Sequence, residues 1–303
     1  MVKNLYQIHL IILKVGILKL VMEMMLFLLF LVLILKIGNY SSFIQIITKS
    51  NSYFLNYSFE DFSFSNSPFF VKIANNFFSL DEINVDISDS FHMLNIEGNI
   101  YFSNHKTIDN NFFAPNIMGP FSYFPFMECN HAVLSMKSNV SGSLYLNGDL
   151  INFDNGVSYI EKDWGTSFPK SYIWCQSNEF LAFPANFMLS IANIPLGNFN
   201  FNGIISDISF KNKEYKFATY YGAKLKKYNV NNNSISIEIQ QGNKTLSVSS
   251  LSENSNFLLA PSKGKMNKEI LESISSKIDV QIKEKDKILF SNSSFNSGLE
   301  IVI

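Results

Sequence analysis

Over most of the chain, side chains interleave with a period of two. Tyr53, Leu55, Tyr57 and Phe59 interleave with Phe54, Asn56 and Ser58 until Ser67-Pro68 breaks the run. Phe69, Val71 and Ile73 resume the period, Asn75-Asn76 marks a turn, and Ile83, Val85 and Ile87 continue it. Leu144 and Leu146 lead into Asn147-Gly148, residues that tolerate the positive φ angles of a type I′ hairpin turn, and Asn155-Gly156 repeats the signal. Strand-like runs recur at Phe199 to Phe210, Tyr215 to Tyr221, Ser234 to Gln240 and Thr245 to Leu251. Asn267 to Lys277 departs from this, because Ile270, Leu271, Ile274 and Ile278 fall at the spacing of one helical face. The pattern therefore predicts an all-β protein, a sandwich or barrel, with one late helix. The Pro- and Gly-bearing stretch from Ala114 to Pro125 reads as a loop joining two lobes, 40–125 and 126–303.

With 303 residues, 47% of them hydrophobic and 30 of them Phe, apolar material suffices for a large core or an apolar cavity. The formal net charge of −1 leaves no electrostatic footprint for nucleic acid, and no such partner is expected. Arginine is absent, and Asn, Ser, Ile, Lys and Phe dominate, as in an AT-rich genome. Cys129 and Cys175 read as buried free thiols, and neither they nor the four histidines show metal-ligand spacing, so no metal is expected.

An unbroken apolar run, Met24 to Leu35, lies between Glu23 and Lys36. It is long enough for a signal sequence and short for a membrane span, so 1–39 would be an uncleaved signal or short anchor if read at face value. Membrane association is expected only on that reading; otherwise the protein is expected in the cytoplasm.

The candidate chemistry is concentrated between Tyr159 and Ser177. On a strand Tyr159, Glu161 and Asp163 share one face, and Ile160, Lys162 and Trp164 the other. Two carboxylates enclosed together cannot both ionise cheaply, so one could hold its proton and serve as a general acid. Equally, the Tyr-Glu-Asp face could be the wet side of a half-exposed strand with Ile160 and Trp164 as core.

Separated motifs add to this reading. Pro125-Phe126-Met127-Glu128-Cys129-Asn130-His131, Gly142-Ser143-Leu144, Tyr159 to Gly165, Ser167-Phe168-Pro169, Trp174-x-Gln176-Ser177-Asn178, Ala218-Thr219-Tyr220, Gly222-Ala223-Lys224-Leu225, Ala260-Pro261 and Gly298-Leu299-Glu300-Ile301 occur in an order that resembles the tocopherol cyclase family. The resemblance runs over 40–303. It implies two lipocalin-like β-lobes, as in carotenoid hydratase-type proteins, with an apolar or isoprenoid ligand inside. It also implies a redox-neutral reaction without a cofactor, in which a prenyl double bond is protonated and a phenolic oxygen closes onto the cation. On that footing Asp163 or Glu161 is the expected proton donor, and Glu128 and His131 would relay or accept the phenolic proton. Tyr159, Trp164, Tyr172 and Trp174 would line the substrate, the last three offering cation–π contacts of about 1–2 kcal/mol each. Each could instead be structural: a core tryptophan, a hydrogen-bonded histidine, a wet glutamate. A lipocalin-like carrier that binds an apolar ligand without turnover is the alternative. Two positions depart from the family: Thr166 stands where arginine is usual, and Asn130 where tyrosine is usual.

The family's opening motif, Tyr-Phe-Glu-Gly-Trp-Tyr-Phe-Lys, is missing. In its place stands Ile11 to Lys19, which AT-rich codons write as ATT ATT TTG AAG GTT GGT ATT TTA AAG. Read from the third base these give TAT TTT GAA GGT TGG TAT TTT AAA, the missing motif. The expectation is that residues from about Lys3 to Lys36 are translated out of frame, which would make the apolar run an accident of thymine-rich codons and leave the first lobe incomplete.

Overall fold

A computed structural model of the chain describes residues 10–19, 26–36, 39–48, 51–124, 127–165, 167–196, 199–252, 255–262 and 265–303. The strands of the first sheet are β1 (Leu10–Lys19), β2 (Leu26–Lys36), β3 (Asn39–Ile47), β4 (Ser52–Tyr57), β5 (Phe62–Asn66), β6 (Phe69–Ile73), β7 (Asn76–Ser79), β8 (Glu82–Asp89), β9 (Leu94–Lys106), β10 (Cys129–Leu146), β11 (Asp149–Asn152) and β12 (Gly156–Gly165). They are ordered β4-β3-β2-β1-β12-β10-β9-β8-β7-β6-β5, with β11 paired to β10. The second sheet holds β13 (Tyr172–Ser177), β14 (Ala185–Leu196), β15 (Phe199–Phe210), β16 (Lys213–Ala218), β17 (Lys224–Val230), β18 (Ser234–Gln241), β19 (Lys244–Leu251), β20 (Asn256–Ser262), β21 (Lys265–Glu284) and β22 (Lys287–Val302). Its order is β16-β15-β14-β13-β22-β21-β19-β18-β17, with β20 paired to β21. Among the described residues the helical pieces are short 3-10 turns at Phe59–Asp61, Gly119–Tyr123 and Thr219–Tyr221.

The turn chemistry is as the sequence dictates. Asn147 and Gly148 take φ of +54° and +93°, and Leu146 pairs with Asp149 across the turn. Each sheet has its own apolar core: Phe78, Ile100, Phe153 and Ile160 belong to the first, Ile173, Cys175, Phe187 and Phe290 to the second.

Three expectations change. The late helix is a strand, since Asn267 to Lys277 lies within β21. Ile270, Glu272, Ile274, Ser276, Ile278, Val280 and Ile282 are all buried, while Leu271 is 38% exposed. A spacing of four is also twice the strand period, so the isoleucines satisfy both templates, and the buried even positions between them decide for the strand. The apolar run, as far as it is described, is β2, hydrogen-bonded to β1 and β3. Among the described residues no helix is long and apolar enough to cross a membrane. Finally, the strands after the Ala114 to Pro125 stretch return to the first sheet. One compact unit holds the chain up to Thr107, Met127–Phe168 and Leu259–Lys268; the other holds Ile108–Phe126, Pro169–Leu258 and Glu269–Ile303. The chain does pass between units at Phe126 and Met127, next to the boundary expected at 125/126, but it passes back into the first unit there, because β10 is held between β9 and β12, and it enters the second again only after Phe168.

Candidate active site

Strands β10 and β12 are antiparallel neighbours, and their register sets His131 opposite Asp163 and Val133 opposite Glu161. Directly paired residues point to the same face of a sheet, so the imidazole meets the face that already carries Tyr159, Glu161 and Asp163. Nδ1 of His131 lies 2.6 Å from Oδ1 of Asp163, and its Nε2 lies 3.7 Å from Oε2 of Glu161. The hydroxyl of Tyr159 donates to that same Oε2 at 2.7 Å. The result is a series Asp163, His131, Glu161, Tyr159, hydrogen-bonded at both ends and joined in the middle by the 3.7 Å approach of Nε2 to Glu161.

The wet-face reading fails on burial. Glu161 is 1% exposed, Tyr159 1% and Asp163 6%, whereas Lys162 and Trp164 on the opposite face are half-buried. Ile160 on that face enters the core of the first unit. The acids thus lie buried on the side of their sheet turned away from its apolar core. Two carboxylates taken out of water need a counter-charge or a shared proton. His131, bonded to Asp163 and close to Glu161, lets the set share a proton. With Nδ1 protonated and bonded to Asp163, the ring is fixed in orientation and Nε2 faces Glu161. The same three side chains offer ligand atoms all within 4.8 Å of one another and could hold a divalent metal. Sequence spacing missed this grouping because its members come from adjacent strands.

The other predicted residues are distributed differently. Glu128 is exposed and its side chain stands outside the series. Its carbonyl accepts the amide of Ser167 at 3.2 Å. A Cβ at Gly165 would lie 2.0 Å from that oxygen, so only glycine lets the Glu128-Cys129 backbone close on the end of β12. Cys129 is half-buried and stays free; burial, then the charges of Asp163, Glu161 and Glu128, push its thiol well above the ordinary range. Asn130 donates its amide to the Trp164 carbonyl at 3.3 Å. Trp164 already carries a cation, with the Lys162 ammonium 5.4 Å from its ring centroid and bonded to Asn66. Burial lowers the affinity of that ammonium for its proton. Thr166 lies outside the described residues.

Tyr172 and Trp174 belong to the second unit, on the face of β13 opposite Ile173 and Cys175, which enter that unit's core. Tyr172 donates to Oε2 of Glu300 at 2.7 Å, Trp174 is paired with Glu300, and Glu300 with Glu272. Both glutamates are buried. Sequence reading gave neither a role: Glu300 stood inside a quoted motif, and Glu272 was hidden within the supposed helix. The second unit thus has its own buried tyrosine-to-glutamate bond.

A sequence profile of the tocopherol cyclase-like family matches residues 109–302. The chain belongs to that family. Among its relatives, the rice protein (Oryza sativa subsp. japonica) named "Probable tocopherol cyclase, chloroplastic" is 29% identical over 103 residues. The maize (Zea mays) "Tocopherol cyclase, chloroplastic" is 31% identical over 104 residues. Each alignment covers 33% of this chain and spans 22% of the relative's length. Among solved structures, kievitone hydratase from Nectria haematococca superposes over 96% of this chain and 88% of its own, with a TM-score of 0.55 at 12% identity. An AttH-type protein from Nitrosomonas europaea does so over 98% and 93%, with 0.56 at 9%. CghA bound to Sch210972 does so over 97% and 88%, with 0.56 at 8%. At such identities the likeness concerns the fold, and it is the lipocalin-like all-β architecture that the motifs implied.

Proposed function

We propose that this tocopherol cyclase-like protein is a redox-neutral cyclase that closes a prenylated quinol, or a related isoprenoid alkene bearing a phenol, by acid–base catalysis. The observation that carries the reading is the buried series Asp163, His131, Glu161, Tyr159. Membership of the family and the names of its plant relatives point the same way, whereas fold likeness alone would not license an activity.

Glu161 delivers the proton. The alkene's electron pair forms a new C–H bond, leaving a cation at the more substituted carbon. A lone pair of the phenolic oxygen then forms the C–O bond, and the phenolic proton passes to Nε2 of His131. Asp163 holds the ring for that task, and the 3.7 Å contact returns the proton to Glu161 after a small side-chain rotation. Atoms and electrons balance without oxidant, reductant or co-substrate. Tyr159, donating to Oε2, fixes the carboxyl so that Oε1 is left to carry the proton.

The test is turnover of a prenylated quinol in heavy water, with and without a chelator. Chromanol carrying one deuterium on the protonated carbon, formed equally with the chelator present, is the expected result. Loss of turnover on chelation would move the chemistry to a metal held by His131, Glu161 and Asp163. Binding of the quinol with no product would overturn the cyclase reading and leave an apolar-ligand carrier.

A further inference from the structure

The face that carries the acids continues across the first sheet. The register sets Asp163 opposite Ile12, Ile12 opposite Val32 and Val32 opposite Phe43, so one row of paired positions joins β12 to β3. Directly paired residues share a face, and alternation along β3 adds Gln45 and Ile47 to the face of Phe43. The residues between them agree: Ile44 and Ile46 enter the apolar core of the first unit, as Ile160 does from β12. Phe43, Gln45 and Ile47 are therefore turned away from that core, to the side of Tyr159, Glu161 and Asp163, and like them they are buried.

Gln45 is the anomaly in this set. It is 2% exposed, yet among the described residues its Oε1 accepts no hydrogen bond. A buried acceptor left without a donor is costly, and native proteins leave few of them. Its neighbours on the face do not make up the loss. Phe43 and Ile47 flank it along β3, Phe54 is paired with it on β4, and the Phe43 and Phe54 ring centroids are 4.5 Å apart. A buried water needs several polar partners, which these apolar neighbours do not offer. An organic molecule with an apolar body and a donor of its own suits both the carbonyl and the rings.

We propose that Oε1 of Gln45 accepts the second hydroxyl of a bound quinol, the one across the ring from the hydroxyl that closes onto the cation. Strands β12 and β3 are three strand spacings apart, about 14 Å along the sheet. That separation suits a quinol whose prenyl double bond lies at Glu161 and whose far hydroxyl lies at Gln45, each side chain covering part of the distance. Gln45 is then a specificity-determining residue. A site built to pair a substrate hydroxyl rejects the analogue that lacks it, because the buried acceptor is left unpaired. The ligand is thereby narrowed to a quinol, in preference to a phenol with one hydroxyl. The identity of the ligand rests on the cyclase reading, but the test reads binding and is separable from turnover.

The full chain is titrated calorimetrically with two ligands: a quinol bearing a short saturated branched chain, which cannot be protonated and cyclised, and the matching phenol without the far hydroxyl. Wild type is expected to bind the quinol about ten- to a hundredfold more tightly than the phenol. Gln45→Met, which keeps the length of the side chain and removes the carbonyl, is expected to bind the two alike. Gln45→Leu is the second variant, with the same expectation, and the wild-type comparison needs no variant at all. A side chain with a purely structural role would weaken both ligands together and leave their ratio unchanged. Three outcomes would overturn the proposal: equal binding of the two ligands by wild type; binding of neither; or a preference for the quinol that persists in the variants. A preference present in wild type and lost in the variants, in a protein that makes no chromanol from the unsaturated quinol, would uphold Gln45 and remove the cyclase reading.

Discussion

Replacing Glu161 by glutamine removes the exchangeable proton from the centre of the buried series while leaving its shape. Glutamine is nearly isosteric, and its Oε1 can still accept the Tyr159 hydroxyl now found 2.7 Å from Oε2. What the fold loses is small, because a protonated carboxyl and an amide both accept the Tyr159 hydroxyl as neutral groups and differ by under about 1 kcal/mol in that role. The midpoint of urea unfolding is therefore expected to move little. The catalytic loss has a different scale, because deleting a positioned general acid costs about 10²–10⁴ in rate. Tyr159→Phe provides the contrast. It strips a donor from a carboxyl oxygen of a side chain that is 1% exposed, so it is expected to cost about 1–3 kcal/mol of stability while keeping a larger share of turnover than Glu161→Gln. The assay is chromanol formation by chromatography, run beside urea unfolding of both variants. Full turnover by Glu161→Gln would refute the assignment of the proton donor. Loss of turnover that merely tracked loss of folded protein would refute the separation of roles.

Further tests follow from the fold. Ile274→Ala is expected to cost about 2–5 kcal/mol in urea unfolding and Leu271→Ala under about 1 kcal/mol, because β21 buries the first and exposes the second; equal costs would restore the helix. Gly165→Ala, which sets a Cβ against the Glu128 carbonyl, is expected to displace the start of β10, lowering both the melting temperature and turnover; an unperturbed crystal structure with full activity would contradict this. Burial and neighbouring carboxylates raise the Cys129 thiol, so in the native protein it should react with a thiol reagent at pH 8 far more slowly than after unfolding. Sequencing the gene across the codons for Ile11 to Lys19 tests the frame; a reading with other codon choices and no hidden motif would end that idea.

Strand positions were legible wherever the period of two was clean, as at Ile83, Val85 and Ile87, because one face of each such strand enters a core. The period failed at β21, where isoleucines four apart satisfy helix and strand alike. The face shared by Tyr159, Glu161 and Asp163 was legible from alternation, but its burial was not, since burial depends on what covers a face and alternation records only which residues share it. The bond between His131 and Asp163 depends on a strand register across more than thirty residues of chain, which turns and bulges set and local pattern does not. Trp164 shows the converse error: its residue type suited a cation wall, but strand parity puts it on the far side of the strand from the acids, already under Lys162.

The same parity gives the opening strand its importance. β1 runs between β2 and β12, and its register sets Ile12 opposite Asp163 and Ile11 opposite Trp164. A strand hydrogen-bonded to the acid-bearing strand occupies the ladder position that mirrors β10, from which His131 reaches the acids on the other side. As translated, β1 brings isoleucine, leucine and valine to that position, with Lys14 and Lys19 as its charges. The hidden reading would put a glutamate across the codons of Leu13 and Lys14, one to two residues from the partner of Asp163. A third carboxylate beside two that share one imidazole would alter how protons are divided among them. The chain as translated and the chain with its frame restored should therefore differ in the pH dependence of turnover as well as in amount. Identical profiles at equal folded concentration would show that β1 takes no part in the chemistry, and that His131, Asp163 and Glu161 act as a closed set.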